Sequence, residues 1–133
     1  MKDEPSGARD LRTRTRQFAL RVLRLSEALP RLMAGRVMAG QVFRSGSSVG
    51  AHYREACRSR SDAELISKLE VGLQELDETT YWLELIAESG MLSTSRIKPL
   101  MQEANELTAI FVTCVRRVKQ RGRSRRVSSK EEG

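Results

Sequence analysis

The residues through which this chain could do covalent or metal chemistry are few: one histidine, His52, two cysteines, Cys57 and Cys114, and the paired acids Glu75 and Glu78. A di-iron centre in a helical protein uses Glu-x-x-His pairs on facing helices, and no glutamate stands three residues before His52. Cys57, Cys114 and His52 lack both the spacing and the fourth ligand of a zinc site. A nucleophilic Ser or Cys needs an adjacent base, and His52 is the natural candidate, yet it falls on an apolar helical stripe and reads as a hydrogen-bonded core or interface residue. The run Arg44-Ser45-Gly46-Ser47-Ser48-Val49-Gly50 lacks the Walker lysine and a flanking strand. Glu75 and Glu78 read as a solvated helix face, and the cysteines as reduced, partly buried thiols. No catalytic residue, metal site or cofactor is expected.

Arginine is what remains. Residues 1 to 24 carry seven Lys/Arg against three Asp/Glu, residues 116 to 133 carry eight against two, and residues 25 to 115 carry nine against twelve. The net +7 is therefore distributed as +4, −3 and +6 along the chain. If the termini meet in the fold, their charges form one basic pole, and such a pole attracts phosphate.

The elements that must position these charges are helices. At 133 residues the chain is one domain, with few aromatics and only three prolines. Its longest apolar runs are far too short to span a bilayer, and the first ten residues have no apolar core of a leader, so a soluble cytoplasmic protein is expected. Apolar residues recur at alternating three and four spacing, one stripe of a helix. Ile66, Leu69, Leu73, Leu76, Leu83 and Ala87 mark a third helix from Ser61 to Ser89, opened by the capping box Ser61-Asp62-Ala63-Glu64 and closed at Gly90. Leu11 to Leu29 form a first helix that Pro30 ends, and Leu32 to Arg58 a second, rich in glycine. The last runs from about Ile97 to Val118, with Pro99 placed in its first turn. Short connections force antiparallel neighbours, so the fold expected is all-α: an antiparallel up-down-up-down four-helix bundle over residues 11–119, with a flexible N-terminus 1–10 and a disordered basic tail 120–133.

That order brings Arg12, Arg14 and Arg16 to the same end as Arg54, Arg58 and Arg60 and as Arg116, Arg117 and Lys119, with Arg121, Arg123, Arg125 and Arg126 extending from it in the tail. These are the candidate nucleic-acid-binding residues, since the guanidinium fork suits bidentate phosphate contacts and stacking on bases. Gly46 and Gly50, with the serines between them, form a flat strip on which another helix can lie. Tyr81 and Trp82 are adjacent and cannot both face the core, so one of them, with Leu85, marks a second surface. Gly46, Gly50, Tyr81, Trp82 and Leu85 are the candidate subunit interface. Glu55 is expected to pair with Arg58, or with Arg44 of a neighbouring chain.

The stretch from Gln41 to Ala56, QVFRSGSSVGAHYREA, resembles the central motif of the bacterial four-helix-bundle family first noticed as open reading frames in intervening sequences of large-subunit ribosomal RNA genes. The stretch from Glu75 to Glu84, ELDETTYWLE, is similar to its third-helix motif, and the likeness extends over about residues 9 to 119. The resemblance implies a small helical bundle without enzymatic activity, in some members a ring-shaped homopentamer. A related branch supplies accessory proteins of diversity-generating retroelements, basic barrels that bind a reverse transcriptase and nucleic acid. The chain departs from the family pattern at His52, where Asn is usual, and at Arg54, where a small or apolar residue is usual.

The function expected is therefore a non-enzymatic, homo-oligomeric nucleic-acid-binding accessory protein that reads the backbone of RNA or DNA, with a reverse transcriptase as a partner that the resemblance alone implies. The alternative is a protein–protein interaction scaffold using the third helix and the Gly/Ser strip, with no direct nucleic-acid role. Membrane-surface binding by the first helix is weaker, because Phe18, Val22 and Leu25 are needed in the core.

Overall fold

In the computed structural model, residues 6–132 are described, with side chains from 11 to 127. Four helices follow in order: α1 (Ser6–Ala28), α2 (Met33–Cys57), α3 (Asp62–Ser89) and α4 (Thr94–Glu132). Each packs on its sequence neighbour, and α1 closes the bundle by a lighter contact with α4, giving the all-α antiparallel arrangement. Among the described residues there is no strand.

The stripes read from the sequence are the core. Phe18, Val22, Val42, Val49, Leu76, Leu83, Leu107 and Phe111 are fully buried, and the core ends at Val118 near the basic termini. Burying side chains of this size contributes roughly 1.5–3 kcal/mol each, which outweighs the poor intrinsic helix propensity of the glycine-rich α2.

Those glycines are explained by close approach. A Cβ on Gly46 would lie 2.9 Å from both Val22 methyls, and one on Gly50 would lie 3.1 Å from Thr15 Oγ1. The helix lying on the strip is thus α1 of the same chain. This corrects the assignment of Gly46 and Gly50 to a subunit interface, because the surface they flatten is already covered. Gly72 does the same for α4, where a Cβ would meet the Phe111 ring at 2.7 Å.

The helix ends follow local chemistry. Ser61 caps α3 by accepting from the Glu64 N–H at 3.1 Å, while the Glu64 carboxylate accepts from the Arg60 N–H, one residue earlier than a reciprocal box would have it. Gly90 ends α3 at φ 75. Helix α4 starts at Thr94, so Pro99 lies in its second turn instead of its first.

Two boundaries differ from expectation. Helix α1 begins at Ser6, so only residues 1–5 of the expected flexible N-terminus lie outside the described residues. Helix α4 does not give way to a disordered tail at 120 but continues to Glu132. The continuation has an anchor: Arg121 and Arg125, one turn apart, both reach Asp62 in the first turn of α3, at 2.8 and 3.2 Å.

Candidate nucleic-acid interface

The two sequence stretches that carry the family resemblance meet in space. Arg44 on α2 bridges Glu75 and Glu78 on α3, and Trp82 Nε1 donates to the same Glu78 carboxylate at 3.1 Å. Directly after Arg44 and Glu78 in sequence, and facing the core, the buried hydroxyls of Ser45 and Thr79 lie 2.9 Å apart. Ser45 donates to its own helix at Gln41 and Val42 and so is free to accept from Thr79. Glu75 and Glu78 are therefore not a merely solvated face, and both motifs serve the α2–α3 seam. Sequence reading missed this because the partners are 31 and 34 residues apart and no local rule links them.

His52 is half-buried, with Nδ1 2.8 Å from the Glu55 carboxylate. Glu55 also receives Lys68 at 3.2 Å, so its partners are His52 and Lys68, correcting the expected pairing with Arg58 or Arg44. The Lys68 and His52 hydrogen bonds hold this carboxyl below the ordinary glutamate range. Its charge is thereby compensated within the chain.

The expected basic end exists, and part of it has a defined shape. Arg12 and Arg16 on α1 and Arg54 and Arg58 on α2 line one groove of about 590 Å³. Its floor is small, with Gly50 and Ser47 against Thr15, because α1 and α2 approach too closely there for larger side chains. The arginines of each pair are four residues apart, about 6 Å along the helix axis, and stand as walls. None of the four forms an ion pair among the described residues, while Glu55, the acid that also lines the groove, is occupied by Lys68 and His52.

Other members of the expected set go elsewhere. Arg14 turns to α4, reaching Glu103 at 2.6 Å and Glu106 at 3.6 Å. Lys119 lies 3.9 Å from Glu70, and Arg121 and Arg125 hold Asp62. Arg60, Arg116, Arg117, Arg123 and Arg126 are exposed and without ion pairs among the described residues. Together they surround the same end with positive charge but converge on no single groove.

An apolar cavity of about 700 Å³ opens at this end, lined by Leu11, Tyr53, Leu65, Leu69, Ile110 and Val118, with Cys57 and Cys114 in its wall and Arg117 and Arg121 beside it. Burial, then the hydrogen bond with Cys57, pushes the Tyr53 hydroxyl far above its ordinary value, and burial raises the Cys114 thiol. Both stay protonated near neutrality, unlike an activated nucleophile. The cysteines are free, Cys57 exposed instead of partly buried and Cys114 half-buried. Among the described residues no three His, Cys, Asp or Glu side chains gather as a metal site requires.

Of the other expected interface residues, Tyr81 is 56% exposed, whereas Trp82 and Leu85 are half-buried against the core. The second surface of α3 is accordingly Tyr81, and the sequence could not tell which of the adjacent aromatics it was.

Fold and site together define a small all-α bundle whose shared motifs build the scaffold and whose arginines line its outside. The chain belongs to the 23S rRNA-intervening sequence protein family, whose model matches residues 10–113. It is similar to the crystal structure of a protein of unknown function from the S23 ribosomal protein family of Bacteroides thetaiotaomicron, with 30% identity, a TM-score of 0.75, and coverage of 79% of this chain and 97% of that one. No curated protein matches the chain. No helix among the described residues is long and apolar enough to cross a membrane.

Proposed function

We propose that the protein is a non-enzymatic, cytoplasmic nucleic-acid-binding accessory factor that grips the sugar-phosphate backbone with the α1–α2 groove. The observation that carries this reading is the set of four arginines, Arg12, Arg16, Arg54 and Arg58, lining one small-floored groove without a carboxylate partner among the described residues. Guanidinium groups left without internal anions are ready to exchange counterions for phosphates, and the shallow floor admits a backbone without demanding a particular base. The exposed Arg116, Arg123 and Arg126 extend the positive field and favour encounter. The same arrangement in a homo-oligomer, a pentamer by family analogy, would repeat the groove around a ring, and a reverse transcriptase remains a partner by that analogy alone.

The test is a salt titration of binding to unstructured RNA and duplex DNA. With four groove contacts, the slope of log K against log[salt] should become shallower by about 3–4 on duplex, less on single strands, when all four arginines are replaced by Gln. Binding indifferent to salt, or unchanged in the quadruple variant, would end this reading. The scaffold alternative rests on exposed Tyr81 with Met33 and Val37, and a protein partner retained after nuclease treatment would favour it.

A further inference from the structure

A second arginine cluster lies away from the groove, at the other end of α1. Arg21 and Arg24 on α1 and Arg96 in the first turn of α4 line a pocket of about 200 Å³ whose wall includes the buried Leu25 and Leu100. The three come from positions 72 or more residues apart in the case of Arg96, and the fold alone brings them together. None has an ion pair among the described residues. That absence is telling on this seam, because α4 does supply carboxylates to an arginine of α1: Arg14 takes both Glu103 and Glu106. Further along the same seam, Arg21, Arg24 and Arg96 border one pocket, and none of them is held by a carboxylate among the described residues.

We infer that Arg21, Arg24 and Arg96 form a discrete site for the dianion of a phosphate monoester. Three cationic forks match a group carrying between one and two negative charges and three strong acceptor oxygens better than they match the single charge of an internal phosphodiester. The pocket has room for one such group and the first atoms attached to it, with Leu25 and Leu100 forming its apolar wall. The N-terminal end of the α4 dipole adds field of the same sign. The ligand is either the terminal phosphate of a nucleic-acid strand or a free small phosphate. The site stands without the groove, and only the first of these sources depends on nucleic-acid binding.

The deciding experiment titrates the full-length chain, labelled with ¹⁵N, with inorganic phosphate at constant ionic strength and follows the arginine Nε–Hε signals. Saturable shifts confined to Arg21, Arg24 and Arg96 are expected, with affinity falling roughly tenfold for each single Arg→Gln change and lost in R21Q/R24Q/R96Q. Shifts that rise linearly and alike at exposed Arg31 and Arg36, or saturable binding that survives the triple change, would overturn the site. A parallel arm compares strands ending in a 5′-phosphate or a 5′-hydroxyl. A preference for the phosphate, erased in R21Q/R24Q/R96Q but kept in R12Q/R16Q/R54Q/R58Q, assigns the strand end as ligand. Saturable phosphate binding without that preference assigns a free phosphate. Failure to bind any strand counts against the groove and leaves the phosphate titration to judge this pocket.

Discussion

Thr79 and Ser45 show how a pair of hydroxyls ties two helices together inside an apolar core. Each is fully buried, and each also leans on a carbonyl of its own helix, so Thr79→Val removes one interhelical contact without leaving a charged group stranded. A loss of about 1 kcal/mol in urea unfolding is expected. Glu55 gives a pH signature. Its folded-state pKa is depressed by Lys68 and His52, so its contribution is present above the unfolded value and disappears as pH falls through the folded one. Glu55→Gln should therefore lower stability near neutrality and flatten the decline seen on acidification, as followed by the urea midpoint against pH; an unchanged profile would show that the pair contributes nothing. The cysteines divide by environment. Alkylation at neutral pH should modify exposed Cys57 well before Cys114, whose thiol burial raises, and peptide mass mapping would read the order.

Glycine decides how closely the helices approach, and the four in α2 are not equivalent. A Cβ on Gly35 would fall 2.0 Å from the Pro30 carbonyl oxygen, a backbone atom that cannot step aside, whereas one on Gly40 would meet nothing within 4 Å. Gly35→Ala should cost about 3 kcal/mol, and Gly40→Ala should gain about 0.5–1 kcal/mol through helix propensity, both measured by denaturant unfolding. Equal effects at the two positions would contradict the tight α1–α2 turn. At the other end, Asp62 holds Arg121 and Arg125 and so ties the last turns of α4 to α3. Asp62→Asn should speed amide exchange beyond Lys119 while leaving the core, which stops at Val118, nearly as stable as before.

Across the whole molecule, positive charge is a property of α1 and of the ends that join it, and it resolves into parts with different environments. Arg12, Arg16, Arg54 and Arg58 line an open groove, Arg14, Arg121 and Arg125 are engaged by carboxylates, and Arg21, Arg24 and Arg96 gather at the other end. The first and last groups, like the exposed Arg60, Arg116, Arg117, Arg123 and Arg126, are available to an incoming anion without first breaking an ion pair, but only the first lines the groove, and the salt-slope change predicted for its four arginines belongs there. Replacing Arg14 instead should alter stability through the α1–α4 seam and leave the salt dependence of nucleic-acid binding almost unchanged, a contrast that filter binding and unfolding measured on the same variant would expose.

Four helices, their order, the core stripes and the convergence of basic termini can be read along the chain, because each rests on local spacing, on caps such as Ser61 and Gly90, and on short connections that force antiparallel packing. The family likeness was legible for the same reason, carried by contiguous motifs. What the tertiary structure decided were the relations between distant residues: that Gly46 and Gly50 receive α1, that Arg44 answers Glu75 and Glu78, that Glu55 turns to Lys68, and that Arg96 joins Arg21 and Arg24. Charge counted along a chain gives the sign of a surface. Which arginines remain available to a partner depends on which carboxylates lie within reach, and that distance is set only when the helices pack.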